Sequence, residues 1–208
     1  MTRQEEQKPV LRLASASPRR RQLLELIGVP HVVTPADIDE TPKPQEPPND
    51  YVLRLAREKA EAVWALHADL PVLAADTTVV IDDEILGKPE SEGEAHSMLG
   101  KLSGRDHIVH TAVALWSDEH QMLFHTSTQV CFAPLSREEI QAYWDSGEPR
   151  GKAGAYAIQG LGAVFVTGIS GTYTGVMGLP LFETAHLLRQ AGIAVWGGKL
   201  PARLEEEA

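Results

Sequence analysis

The chain is short of cysteine, of positive charge and of long apolar runs, and each shortage closes off a class of function. A single cysteine, Cys131, among 208 residues leaves no internal disulfide framework, so a packed core must hold the fold. Cys131 lies in a strand-like run and reads as a small, half-buried hydrophobe rather than a nucleophile. No stretch approaches the roughly 18 consecutive apolar residues of a membrane span. The first ten residues are polar and lack the apolar core of a signal peptide, so a cytoplasmic location is expected. Lysine and arginine total 19 against 29 acids, a formal net charge of −10, which argues against a general nucleic-acid surface. The eight histidines show no zinc-ligand spacing. His107 and His110, three apart in a strand-like run, are expected on opposite faces. There is no Gly-x-Ser-x-Gly nucleophile motif.

What is present begins with Leu11–Ala14, an apolar run leading through Ser15 and Ala16 to Ser17-Pro18-Arg19-Arg20-Arg21. Ser17 suits an N-cap and Pro18 the first helical position, so the arginines fall in the first turn of a helix. That end of a helix already carries about +0.5 charge. Cations placed there make sense if an anion joins them, and a helix N-terminus with arginine is a phosphate site. At about 100° per residue the arginines cannot all point one way. Arg20 lies on the core-facing side, Arg19 flanks it, and Arg21 drifts toward Glu25 and a surface ion pair.

The remaining pattern alternates helix and strand. The expected elements are a strand at Val10–Ala14, a helix at Pro18–Ile27 and a long proline-rich loop at Thr34–Pro48 with four acids. A helix follows from Asn49 or Asp50 to His67, with the apolar stripe Val52, Leu55, Ala56, Val63, Leu66 and Lys59 inside it. A strand at Val72–Ile81 has a return arm at Ile85–Leu86, and a helix spans Ser91–Leu102. Strands at His107–Trp116 and Met122–Phe132 precede a helix opened by the Ser136–Glu139 capping box. Strand-like runs at Ala155–Gln159, Ala163–Ile169 and Tyr173–Val176 lead to a last helix at Pro180–Gln190. Residues 1–9 are expected to be a disordered leader, 10–195 a single domain, and 196–208 an acidic tail. The class is α/β, a mixed central sheet flanked by helices.

Asp76 carries the sharpest signal. A carboxylate in a strand among Val72, Leu73, Val79 and Val80 must be paired, hydrogen-bonded or bound to metal, because burying it alone costs several kcal/mol. It therefore reads as a metal ligand or a general base. Lys59 on its apolar stripe either snorkels to water or meets a ligand. Lys88, in Leu86-Gly87-Lys88-Pro89, adds another cation. With the acids of Asp37–Glu40, these groups suit a polyphosphate held with a divalent metal. Gln159 offers an amide that can donate and accept, as a pyrimidine edge requires. Gly160-x-Gly162 is no dinucleotide fingerprint, lacking the third glycine and the following helix.

Together these pieces resemble the Maf family of nucleoside triphosphate pyrophosphatases. The matching segments are Leu13–Arg20, Leu55–Ala60, Ala75–Thr77, Leu86–Pro89, Leu102–Arg105, Lys152–Gly160 and Gly178–Pro180, in the family's order. The resemblance implies a two-lobed, inosine triphosphate pyrophosphatase-like fold around a cleft. It implies cleavage of a nucleoside triphosphate between its α- and β-phosphates, a divalent cation (Mg²⁺ or Mn²⁺) and a homodimer. It implies Asp76 as proton acceptor and ties Arg19, Thr77 and Gln159 to base choice. The branch it is most similar to acts on dTTP and UTP, with modified pyrimidine nucleotides as further candidates. The alternatives are the 7-methyl-GTP branch and a non-catalytic regulator of cell division. Ser15, Arg19, Arg20, Lys59 and Lys88 are expected to hold the triphosphate, and Asp76 with Glu40 the metal. Gly151 departs from the family pattern, which has Asp there.

Overall fold

The computed structural model describes residues 8–199. Its elements in chain order are β1 (Leu11–Leu13), α1 (Pro18–Leu26), β2 (His31–Val33), α2 (Pro48–Leu66), β3 (Val72–Ile81) and β4 (Glu84–Leu86). Then come α3 (Glu92–Leu102), β5 (Asp106–Trp116), β6 (Gln121–Phe132), α4 (Arg137–Asp145), β7 (Val166–Ser170), α5 (Tyr173–Val176) and α6 (Leu181–Gln190). The strands form one seven-stranded sheet in the order β2-β1-β3-β5-β6-β7, with β4 also on β3. β1 runs parallel to β2 and β3, whereas β4, β5, β6 and β7 join by antiparallel pairing. This is the mixed α/β sheet that the sequence predicts. None of the helices among the described residues is long and apolar enough to cross a membrane.

Most expected elements are present, and the departures have local causes. The run Ala155–Gln159 is not a strand. Gly154 and Ala155 adopt positive φ, and a 3-10 turn over Ala153–Ala155 leads into a loop. Of Ala163–Ile169, the first part belongs to a second 3-10 turn, Leu161–Phe165, and only Val166 onward pairs in β7. Tyr173–Val176 is a helical turn, because the Thr172 hydroxyl accepts from the Gly175 amide and caps it. The three-residue strand β2 gave no periodic signal, yet it pairs along β1 residue for residue. Leu66, counted in the apolar stripe, is exposed at the end of α2. Ser17 holds the N-cap position but its side chain makes no capping bond. The Ser136–Glu139 capping box is complete. Most of the expected leader and tail lies outside the described residues. Within the described part, Trp196 donates its amide to the Ile27 carbonyl and Gly197 to that of Gly28, closing a turn against the end of α1.

β3 builds the site through its two edges. Its β5 edge is paired continuously from Val72 to Val80. On the other edge β1 pairs only Val72 and Leu73, and β4 only Val79 to Ile81. Residues 74–78 between them face no strand, and this gap is the root of the cleft. The core divides accordingly. Leu11, Leu13, Leu73 and Ala75 pack under Leu23, Leu24, Leu187 and Leu188 of α1 and α6. Val79, Val109 and Phe132 pack with Leu99 and Leu102 of α3 and Ile140 of α4. These are the two lobes. On the opposite face of the sheet, Val72, Ala74 and Ala112 bury Val52, Ala56, Ala60 and Val63 of α2. Strand alternation places Asp76 on that α2 face and Thr77 on the face of the two lobes.

Candidate active site

The cleft between the lobes has a volume of about 450 Å³ and reaches both faces of the sheet through the gap in β3. Ser15, Arg19, Arg20, Glu40, Lys59, Asp76, Thr77, Lys88 and Gln159, all expected at the site, line it.

On the α2 side, Lys59 is buried and neither snorkels nor stands free. Its Nζ donates to Asp76 Oδ1 at 2.7 Å and meets Glu40 Oε1 at 2.7 Å. Helical spacing makes this possible: Lys59 sits in the stripe that packs on β3, directly above the strand position where Asp76 faces α2. Burial lifts the Asp76 carboxyl above its ordinary range, against the opposing pull of Lys59 and Arg20. Glu40 moves the other way. Burial would raise it, but the Lys59 hydrogen bond and charge, with Lys88 and Arg20 behind them, hold it below its usual value. The two carboxylates are thus pushed apart in acidity, the pattern that separates roles in acid–base sites. Lys88 is exposed at the cleft mouth, 3.8 Å from Glu40.

The loop that carries Glu40 is strapped to α2 by residues the sequence reading passed over. Arg54 makes a bidentate pair with Glu46, at 2.6 and 2.7 Å, and also donates to Glu58 and the Thr41 carbonyl. Tyr51 donates its hydroxyl to the Glu40 carbonyl at 2.9 Å. Arg54 stands on the side of α2 away from the apolar stripe, so helix periodicity gave no signal for it.

At the gap itself, Arg20 is mainly a strut. It donates to Gly178 O (2.8 Å), Ala75 O (2.7 Å), Ser15 Oγ (3.2 Å) and Thr77 Oγ1 (3.1 Å). Four of the five N–H donors of a guanidinium are spent on protein, leaving one for a ligand. Thr77 also shares a hydrogen bond with Thr111, which donates on to the Gly175 carbonyl. Arg21 pairs with Glu25 at 3.3 Å on the surface, as its helical position predicts. The first turn of α1 has neither a side-chain cap nor an acid, so its amides stay open toward the cleft.

At the far end lies Gln159. Its amide orientation follows from its neighbours: the carboxamide oxygen faces Arg19 and accepts from Nε and, at 3.1 Å, from Nη2. Its NH₂ group therefore remains as a donor for the cleft. Gly151 sits at φ +69° in a turn, a conformation that suits glycine.

Asp76 and Glu40 give a hard-oxygen pair focused on one point, now held by the Lys59 ammonium. Among the described residues no group of three or more His, Cys, Asp or Glu side chains forms a metal cage. A carboxylate pair of this kind fits an ion of the Mg²⁺ type whose coordination substrate phosphates complete, rather than an all-protein site. His107 and His110 stand on opposite faces, as expected, bonded to Tyr156 and His125 respectively.

Fold and cleft define an α/β protein built to hold a small anionic ligand against an acid–lysine floor. A family model described as Maf-like protein matches residues 10–191, and the chain belongs to that family. The dTTP/UTP pyrophosphatase of Methylobacillus flagellatus is 57% identical over 187 residues, covering 89% of this chain and 94% of that protein. The dTTP/UTP pyrophosphatase of Bordetella parapertussis is 56% identical over 196 residues, 90% of this chain and 95% of that protein. That of Nitrosomonas europaea is 52% identical over 197 residues, 88% and 95% of the two chains. Among solved structures, the Ham1 protein of Staphylococcus aureus aligns with 59% of this chain and 71% of its own, at 15% identity and a TM-score of 0.45.

Proposed function

We propose that the protein hydrolyses dTTP and UTP to the nucleoside monophosphate and pyrophosphate. The observation that carries the reading is Lys59 held between Asp76 and Glu40 on the floor of a cleft that opens beside an uncapped helix N-terminus. The names of relatives identical at 52–57% over most of both chains support it.

The open amides of α1, Ser15, Arg19, the remaining donor of Arg20, and Lys88 receive the triphosphate. Lys59 leaves its carboxylates in part to meet phosphate oxygens, which share its three donors. Asp76, freed of some of that positive charge and raised by burial, takes a proton from water as the water oxygen attacks the α-phosphorus. The new P–O bond forms as the bond to the bridging α–β oxygen breaks, and pyrophosphate leaves with the bonding pair. Lys88 and Lys59 stabilise its charge. A divalent cation held by Asp76, Glu40 and the phosphates would supply further charge neutralisation.

Base choice rests on Gln159 and Thr77. With its oxygen committed to Arg19, Gln159 meets the base as a donor. Uracil and thymine present a carbonyl acceptor at C4, whereas cytosine presents an amino donor there. The fixed amide therefore favours UTP and dTTP over CTP. A panel of UTP, dTTP, CTP, GTP and 7-methyl-GTP, run with Mg²⁺ and with Mn²⁺ and read as pyrophosphate release, tests the reading. UTP and dTTP are expected to turn over fastest. Preference for 7-methyl-GTP, or binding without turnover, would overturn it.

A further inference from the structure

Gly160-x-Gly162, which is no dinucleotide fingerprint, has its explanation in the geometry. We propose that Tyr143 and Glu148 form a positioning dyad that aims Gln159 into the cleft, and that the two glycines are its seat. The loop from Ala157 to Gly162 is pinned at both ends by this pair. The Ala157 amide donates to Tyr143 Oη at 3.0 Å. The Leu161 amide donates to Glu148 Oε2 and the Gly162 amide to Glu148 Oε1, each at 3.0 Å. The dyad is closed by Tyr143 Oη donating to Glu148 Oε1 at 2.7 Å. Gln159 sits midway along the pinned loop, with its oxygen on Arg19.

The glycines follow from close approach, not from turn conformation. Neither has positive φ. A Cβ at Gly160 would fall on the Glu148 carboxylate, and one at Gly162 would come within 2.7 Å of Tyr143 Oη. The carboxylate and the hydroxyl occupy the space that side chains would take. Glu148 does not line the cleft; it acts through the loop that carries Gln159 and through the charge of Arg19, which holds the Gln159 oxygen, and is a positioning residue.

The inference rests on Gln159 reading the base, and the experiment separates the two. Glu148→Ala should raise the KM for UTP about tenfold, the scale of one charge-assisted hydrogen bond, with the loss falling on KM rather than kcat. The UTP:CTP ratio of kcat/KM should narrow by about the same factor. Gly160→Ala should give the same change in the wild-type chain but add less than about twofold on top of Glu148→Ala, because the clash is gone. Glu148→Gln, similar in size but without the charge, should move in the same direction and serves if the alanine variant fails to fold. Glu148→Ala or Glu148→Gln that leaves KM and the ratio unchanged, while Gln159→Ala alters both, overturns the dyad. Additive effects of Glu148→Ala and Gly160→Ala also overturn it. If Gln159→Ala itself changes neither, the reading of Gln159 falls instead.

Discussion

The two ends of the cleft are built by opposite means. At the acid end, long side chains from α2, β3 and the strapped loop converge through space, and ion pairs hold them. At the end proposed to meet the base, the backbone of a loop is held by a tyrosine and a carboxylate, and the Gln159 amide rides on it. The first end is electrostatic and therefore adjustable: Lys59 can exchange one anion for another without the strand moving. The second is geometric, since Gln159 keeps one orientation as long as Arg19 and the loop are fixed. Chemistry on a charged phosphate tolerates the first kind of construction. Telling a carbonyl from an amino group demands the second.

The largest break in this contrast should come from Asp76→Asn. It preserves shape and removes the proton acceptor, so kcat for UTP should fall by about 10² or more, with KM little changed. Pyrophosphate release at saturating UTP checks this, and near-normal turnover would remove Asp76 from the mechanism. Lys59→Met comes next. It strands a buried carboxylate, and breaking such a pair costs on the order of 3–5 kcal/mol, readable in urea unfolding. The same variant sharpens the acidity argument. Asp76 must be ionised to act, and burial raises its pKa, so the acid limb of kcat/KM should lie above the ordinary aspartate value of about 3.9. Removing the Lys59 charge, which opposes that rise, should move the limb higher still. An unmoved limb would mean that another group titrates.

At the base end the expected effects are smaller. Gln159→Glu replaces the donor by an acceptor and should lower kcat/KM for UTP relative to CTP by about tenfold, as the loss of one hydrogen bond allows. A competition assay between the two nucleotides reads the ratio directly. Arg21→Ala should do least. Its pair with Glu25 is more than half exposed on both sides. Surface pairs of this kind are worth about 0–1 kcal/mol, so activity and melting temperature should both hold. A large loss of activity would reverse the ranking of the three arginines.

The two ends also differed in how far the sequence disclosed them. Asp76 was legible because a carboxylate amid valines must be paired, hydrogen-bonded or bound to metal, and Lys59 because helix period puts it on the same face as Leu55 and Ala56. The long elements β3, β5 and β6 announced themselves by length and apolar content. At the other end, the run Ala155–Gln159 has strand composition, but positive φ at Gly154 and at Ala155 breaks it, and Gly154 packs so closely on Val79 that a side chain there would clash. Glu148 looked like any acid in a Ser-Gly-Glu-Pro turn, since its three donors come from α4 and from a loop more than ten residues away. Gln159 was readable only as an amide suited to a pyrimidine edge, and family resemblance tied it to base choice. Arg20 was placed on the correct side of its helix, but no periodicity could show that most of its donors are spent on β3 and the Gly178 turn.

The interrupted edge of β3 has one further consequence. An exposed strand edge is an invitation to any passing chain to add a strand. The opening here spans residues 74–78 and is stopped at both ends by β1 and β4. One of its carbonyls, on Ala75, is already engaged by Arg20. An incoming strand of ordinary length, about 5–6 residues, finds at most five open positions and not a full row of partners. The same short notch that opens the cleft therefore offers little edge for strand addition.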